Sequence, residues 1–168
     1  MIEKNKEHSP IEKVWKKGLI GLVLRPKRLR NKLLGVIARS ALVHPRLRTL
    51  IFSAMGVNFR DSNTVFIGAN VYFDELNPQL ISVGKNVYFT EGVRVLTHFY
   101  DKYQPPHHHR IAPVVIEDDV FLGMNVVIVE SIKIGKGAVI GANSVVTQDI
   151  PSNGIAAGTL PSNRSTPW

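Results

Sequence analysis

From Ile116 onward an aliphatic residue recurs at every sixth position: Leu122, Ile128, Ile134, Ile140 and Val146. Glycine follows it at Gly123, Gly135 and Gly141, and the pattern opens earlier at Ile67-Gly68 and Val83-Gly84. A helix drifts off a period of six, and a simple strand alternates in twos. Sixes fit a solenoid, whose short strands meet at corners and stack one large side chain per face into a continuous core. The small residues beside that position (Gly68, Gly123 and Gly141, with Ala69 and Ala142) suit corners where the backbone needs room or a positive φ.

A length of 168 residues implies one domain, with room for an appendage and a buried core. The absence of cysteine excludes a disulfide scaffold, a thiol nucleophile and a Cys-ligated zinc site. The apolar run from Gly18 to Leu24 is bordered by Lys and Arg and is far shorter than the roughly 20 residues of a membrane span. With no secretory pattern ahead of it, a cytoplasmic protein is expected. The formal charge of +8 is uneven: from Lys13 to Arg60 there are twelve Lys or Arg residues and no Asp or Glu. Two readings follow for this basic stretch. It caps the open end of the solenoid, or it meets anions such as substrate, coenzyme or acidic lipid at the inner face of the membrane. Nucleic acid is not expected, because no recognition motif or interleaving of aromatics accompanies the charge.

The chain divides into a basic helical cap over residues 1–56 and a β-solenoid domain over residues 57–168. In the cap, Leu33, Leu34, Ile37 and Ala41, then Leu47, Leu50, Ile51 and Ala54, recur at helical spacing around a break at Pro45. Two helices are predicted, with Arg and Lys on their outer faces. In the solenoid, Ile67, Phe73, Val83, Phe89 and Val95 are the early core candidates. The step from Phe73 to Val83 is ten rather than six, so Glu75 to Leu80 is expected to bulge around Pro78. Residues 98–113 break the period, carry Pro105-Pro106 and His107-His108-His109, and are expected to leave the solenoid as a loop. A long loop on a regular scaffold is usually functional. The sixes end at Val146, and residues 150–168 are expected to form a tail.

The segment from Val114 to Gly158 resembles the hexapeptide-repeat acyltransferases, in particular the maltose, galactoside and capsular-polysaccharide O-acetyltransferases. The matching words are Val120-Phe121-Leu122-Gly123, Ile134-Gly135, Ile140-Gly141-Ala142-Asn143-Ser144-Val145-Val146-Thr147, Asp149-Ile150-Pro151 and Ala156-Ala157-Gly158. Upstream, Leu96-Thr97-His98 followed by Asp101 is similar to that family's catalytic histidine at the mouth of its extended loop. The resemblance implies a mainly β fold, a left-handed parallel β-helix, assembled as a homotrimer with active sites between subunits. It also implies acetyl transfer from acetyl-CoA to a hydroxyl of a saccharide, such as a surface-polysaccharide precursor.

By that match His98 is the expected general base, since a sugar hydroxyl needs a base poised near neutral pH. Asp101 either orients the imidazole or caps a loop turn. Asp74 and Glu91, on coils before the loop, are acceptor-binding candidates, with surface solvation the competing reading, and Arg110 could hold an anionic acceptor. The resemblance assigns coenzyme contacts to Met124 and Ala142 along the pantetheine arm, and to Thr147 and Gln148 near the phosphates, where the family more often has Thr-Lys. Arg164 replaces the basic residue of the family's tail, and Phe121 stands where many relatives carry Trp. No metal is expected, because three consecutive histidines rarely turn all their rings to one ion. Alternatives are an N-acyltransferase on an amino sugar or nucleotide sugar, an inactive β-helix scaffold, or a metalloprotein resembling the γ-class carbonic anhydrases. The last needs histidines on adjacent coils, and the stretch from Ile116 to Val146 has none.

Overall fold

The computed structural model describes residues 26–100, 109–129 and 131–158. After helices α1 (Pro26–Arg39) and α2 (Pro45–Met55), short strands wind through three faces in strict rotation. The first face stacks β1 (Asn58–Phe59), β4 (Ile81–Val83), β9 (Val114–Ile116) and β12 (Ile132–Ile134). The second stacks β2 (Phe66–Ile67), β5 (Tyr88–Phe89), β10 (Phe121–Leu122), β13 (Val139–Ile140) and β15 (Ile155–Ala156). The third stacks β3 (Tyr72–Phe73), β6 (Arg94–Val95), β11 (Val127–Ile128) and β14 (Val145–Val146). All these pairings are parallel and in register, for example Ile67 with Phe89 and Phe89 with Leu122. The fold is a left-handed parallel β-helix.

The residues of the six-residue period form the core. Ile116, Leu122, Ile128, Ile134, Ile140 and Val146 are buried, as are Ile67, Phe73, Val83, Phe89 and Val95. A second inward column lies two residues earlier in each hexad, at Val87, Val93, Val120, Val126 and Ala138. Each large aliphatic side chain so buried is worth about 1.5–3 kcal/mol of transfer free energy, and the repeat sums that over every coil.

Of the two reasons expected for small residues at the corners, room applies and positive φ does not. Gly68, Gly123 and Gly141 are not at positive φ; that conformation lies two residues later, at Asn70, Asn125 and Asn143, and at Gly92 on the intervening coil. Asn86, Asp119, Gly137 and Asn153 repeat it at the corner between the first and second faces. Asn and Asp tolerate this region because their short polar side chains bond locally. What Gly123 supplies is closeness: a Cβ there would sit 2.6 Å from the Ala142 backbone nitrogen. Among the described residues the corner between the third and first faces has no such residue, and the long steps from Phe73 to Val83 and from Val95 to Ile116 both cross it.

The bulge after Phe73 folds into a 3-10 turn at Pro78–Leu80, with Pro78 buried. Within residues 98–113, β7 (His98–Tyr100) and β8 (His109–Ile111) form an antiparallel pair, and Ala112 N–H donates to the Thr97 carbonyl at 3.0 Å. The neck of the excursion is thus closed, and β9 rejoins the stack in register with β4. At the other end the winding continues past Val146. Ile150 bridges to Ile134 and β15 pairs with β13, so residues 150–156 extend the solenoid rather than begin a tail.

Both helices form where expected, with Pro45 at the first turn of α2 and Gly56 closing it at φ 116°. Their burial meets the expectation only in part: Leu34 and Ile51 pack against the core and most Lys and Arg face outward, but other members of the apolar pattern do not turn inward. The inward residues are Asn31, Gly35 and Ala38 on α1, and Arg48, Thr49, Phe52 and Met55 on α2. Leu33, Ile37, Leu47 and Leu50 face outward. Arg48, expected on an outer face, is buried and donates to the carbonyls of Ala38 (3.1 Å), Ser40 (3.0 Å) and Ile67 (2.9 Å). Those acceptors belong to α1, the turn after it and the second face, so one guanidinium ties the cap to the solenoid. Phe52 adds an edge-to-face contact with Phe73 at 4.7 Å.

Candidate active site

The column at the end of the third face brings together residues far apart in sequence. Phe73 pairs with Val95, Val95 with Ile128, and Ile128 with Val146. The residues that follow, Asp74, Leu96 and Thr147, therefore stack on one corner, where the excursion also leaves the coil. At about 4.8 Å per strand step, Thr147 lies roughly 10 Å along the stack from Leu96.

Asp74 is fully buried, so the expectation of a solvated surface carboxylate open to an acceptor is corrected. One oxygen accepts from the Leu76 N–H at 3.0 Å. The other accepts from the Thr97 N–H at 3.0 Å and the Thr97 hydroxyl at 2.5 Å, and lies 2.6 Å from His98 Nδ1. Burial alone would raise this carboxyl. The hydrogen bonds from Thr97, His98 and the backbone outweigh it and hold Asp74 below the ordinary carboxylate range. A charged Asp74 accepts a hydrogen bond from the Nδ1–H of His98, which leaves the neutral ring's lone pair on Nε2. The His98 side chain is 32% exposed, so the ring is anchored by Asp74 and still reached by solvent.

Arg110 lies on β8, opposite Phe99 and one pair away from His98, and is exposed. Thr147 and Gln148 line a small slot with Ser144, Val145, Ala156 and Gly158. The remaining candidates occupy other positions. Glu91, Met124 and Ala142 stack on the corner between the second and third faces, all exposed. There Glu91 accepts from the Asn70 amide at 3.0 Å and the Met124 carbonyl accepts from the Asn143 N–H at 2.7 Å. Phe121 is exposed on the second face, in line with Phe66, Tyr88, Val139 and Ile155. A single chain does not bring this group to His98. Asp101, His107, His108 and Arg164 lie outside the described residues, and of His109 only the backbone is described. Among the described residues no three His, Cys, Asp or Glu side chains gather at metal-binding spacing.

The Asp74–His98 pairing escaped sequence reasoning, although a signal for it existed. Aligning the two interruptions of the period puts Phe73 beside Val95, and so puts Asp74 beside the Leu96-Thr97-His98 word.

The family profile described as the hexapeptide repeat of succinyl-transferase matches residues 113–148. This chain has the hexapeptide-repeat acyltransferase fold. A maltose O-acetyltransferase from Clostridium difficile 630 superposes with a TM-score of 0.61 at 25% identity, over 79% of this chain and 82% of that one. A galactoside acetyltransferase in complex with coenzyme A gives 0.54 at 27% identity, over 79% and 76%. In sequence, a 2,3,4,5-tetrahydropyridine-2,6-dicarboxylate N-acetyltransferase from Staphylococcus aureus (strain MRSA252) is 44% identical over 78 residues. That match spans 46% of this hexapeptide-repeat chain but only 30% of the curated relative.

Proposed function

We propose that this chain is an acetyl-CoA-dependent O-acetyltransferase acting on a saccharide hydroxyl, with His98 as general base. The observation that carries the proposal is the buried Asp74 carboxylate 2.6 Å from His98 Nδ1. In the proposed step Nε2 takes the proton of the acceptor hydroxyl as its oxygen attacks the thioester carbonyl carbon. The tetrahedral intermediate collapses, the C–S bond breaks, and the imidazolium returns the proton to the departing thiolate. The products are an acetyl ester and free CoA, and no covalent enzyme intermediate is needed. Asp74 acts through the ring: it fixes the tautomer and offsets the charge that His98 acquires.

The proposed working unit is a homotrimer. The exposed second-face row from Phe66 to Ile155 supports it, because large apolar side chains in line on a sheet are an association surface. The division of coenzyme candidates between two corners supports it too. Phe121, Met124 and Ala142 of one subunit would complete the slot that Thr147 and Gln148 begin beside His98 in another. The CoA bound to the similar galactoside acetyltransferase makes CoA the ligand to test.

A second reading, N-acetyl transfer to an amine, is favoured by the name of the sequence relative, an N-acetyltransferase. Titration calorimetry with acetyl-CoA and with CoA, followed by thiol release against neutral sugars and amino sugars, separates the two. Binding near one site per subunit with thiol release on neutral sugars is the expected result. Release only with amines would replace O- by N-transfer, and absence of binding by either ligand would overturn the transferase reading. His98→Ala should keep its fold and coenzyme affinity while turnover falls about 10²–10⁴-fold.

A further inference from the structure

We propose that the outward surface of α1 and α2 docks on an anionic lipid bilayer. At 3.6 residues per turn, Leu29, Leu33, Val36 and Ile37 form one stripe of α1, opposite the buried Asn31, Gly35 and Ala38. Leu33 and Val36 are 59% and 62% exposed. On α2, Leu47 and Leu50 form a second stripe opposite Arg48, Thr49 and Phe52, with Leu50 60% exposed; in the connecting turn Leu42 is 97% exposed. Both helices place their opposite sides against the solenoid, so the two stripes turn away from it. Cations border them: Arg28 and Lys32 run along one edge of the α1 stripe, Lys27 and Arg30 along the other, and Arg46 stands beside Leu47.

The charge pattern identifies the occupant. No Asp or Glu occurs from Lys13 to Arg60, so two copies of this surface face to face would set like charges against each other. A nucleic acid would satisfy the cations and leave the leucines in water. An anionic bilayer satisfies both groups at once, with headgroup phosphates for Lys and Arg and the acyl boundary for Leu, Val and Ile. The inference is independent of the acyltransferase reading, and its probe contains no acetyl-CoA.

The test is co-sedimentation of the full chain with vesicles of mixed phosphatidylglycerol and phosphatidylcholine. Binding should weaken about tenfold on pure phosphatidylcholine, and again when the Debye length is cut from about 10 Å to about 3 Å with salt. Leu33→Asp/Leu50→Asp should abolish binding with an unchanged circular dichroism spectrum, because both side chains already face water. If that variant fails to fold, Arg28→Gln/Lys32→Gln keeps the apolar stripe and should weaken binding to anionic vesicles about tenfold. The proposal is overturned if the native chain does not sediment with anionic vesicles. It is also overturned if folded variants bind undiminished, or if they change only the oligomeric mass.

Discussion

A carboxylate taken wholly out of water ordinarily protonates, because burial disfavours the charged form. Asp74 stays ionised because three of its donors are fixed by the coil itself: the Leu76 and Thr97 N–H groups and the Thr97 hydroxyl. Its folded-state pKa is lowered, so the stabilisation it gives is complete above the unfolded carboxyl value near 3.9 and is lost as pH falls through the folded value. Urea melts of Asp74→Asn between pH 7 and pH 3 should therefore lose less stability on acidification than melts of the native chain. At neutral pH the same variant should bind CoA normally and turn over about 10²-fold more slowly or worse, since the amide no longer dictates the tautomer. A lowered affinity with unchanged kcat would show that Asp74 serves binding instead. In the sequence His98 stood out because it opens a break in the period. Asp74 did not, since a lone Asp before a bulge is what any solvated turn contains.

The strands were the most legible elements, because a six-residue period leaves each large aliphatic only the inward direction. The helices were legible in position and only partly in orientation, since Leu34 and Ile51 pack on the core as their spacing implies. Helical spacing of Leu and Ile normally marks the buried face, yet here the inward face carries Asn31, Gly35 and Arg48. The reason is close approach: Gly35 lies against Glu75, and Arg48 meets three carbonyls at the junction of cap and coil. Arg48→Met keeps most of the side-chain volume and strands those carbonyls. The expected loss is about 3 kcal/mol, given that hydrogen bonds to a charged group are worth roughly 1.5–3 kcal/mol each and are not additive. Urea denaturation followed by the far-ultraviolet circular dichroism signal checks it. A change below about 0.5 kcal/mol, the ordinary surface range, would mean the guanidinium is not holding the cap.

For the whole molecule, the informative feature is the row Phe66, Tyr88, Phe121, Val139 and Ile155, in register on five strands. A lone exposed apolar side chain is ordinary, but one on each coil of the same face is not. Tyr88→Glu should reduce the proposed trimer to the mass of one chain in analytical ultracentrifugation and remove the proposed acetyl-CoA binding, with the coil still folded. A trimer that survives the change would put the subunit contact on another face. Sequence periodicity reached the solenoid but not this row, because its members lie on the outward side of each strand, where no composition rule constrains them.

The closed neck at Thr97 and Ala112 has a consequence for how such a molecule can be altered. Because the ends of the excursion are hydrogen-bonded to each other and the coil resumes in register beyond it, what lies between is a cassette. Lengthening such a segment twofold costs only about 0.6 kcal/mol of closure entropy. A different sequence set between Tyr100 and His109 would leave His98 and both strands of the excursion in place, so every strand keeps its partner. Under the proposed acyltransferase reading, acceptor preference can be varied by replacing one contiguous stretch, at little cost to the described fold.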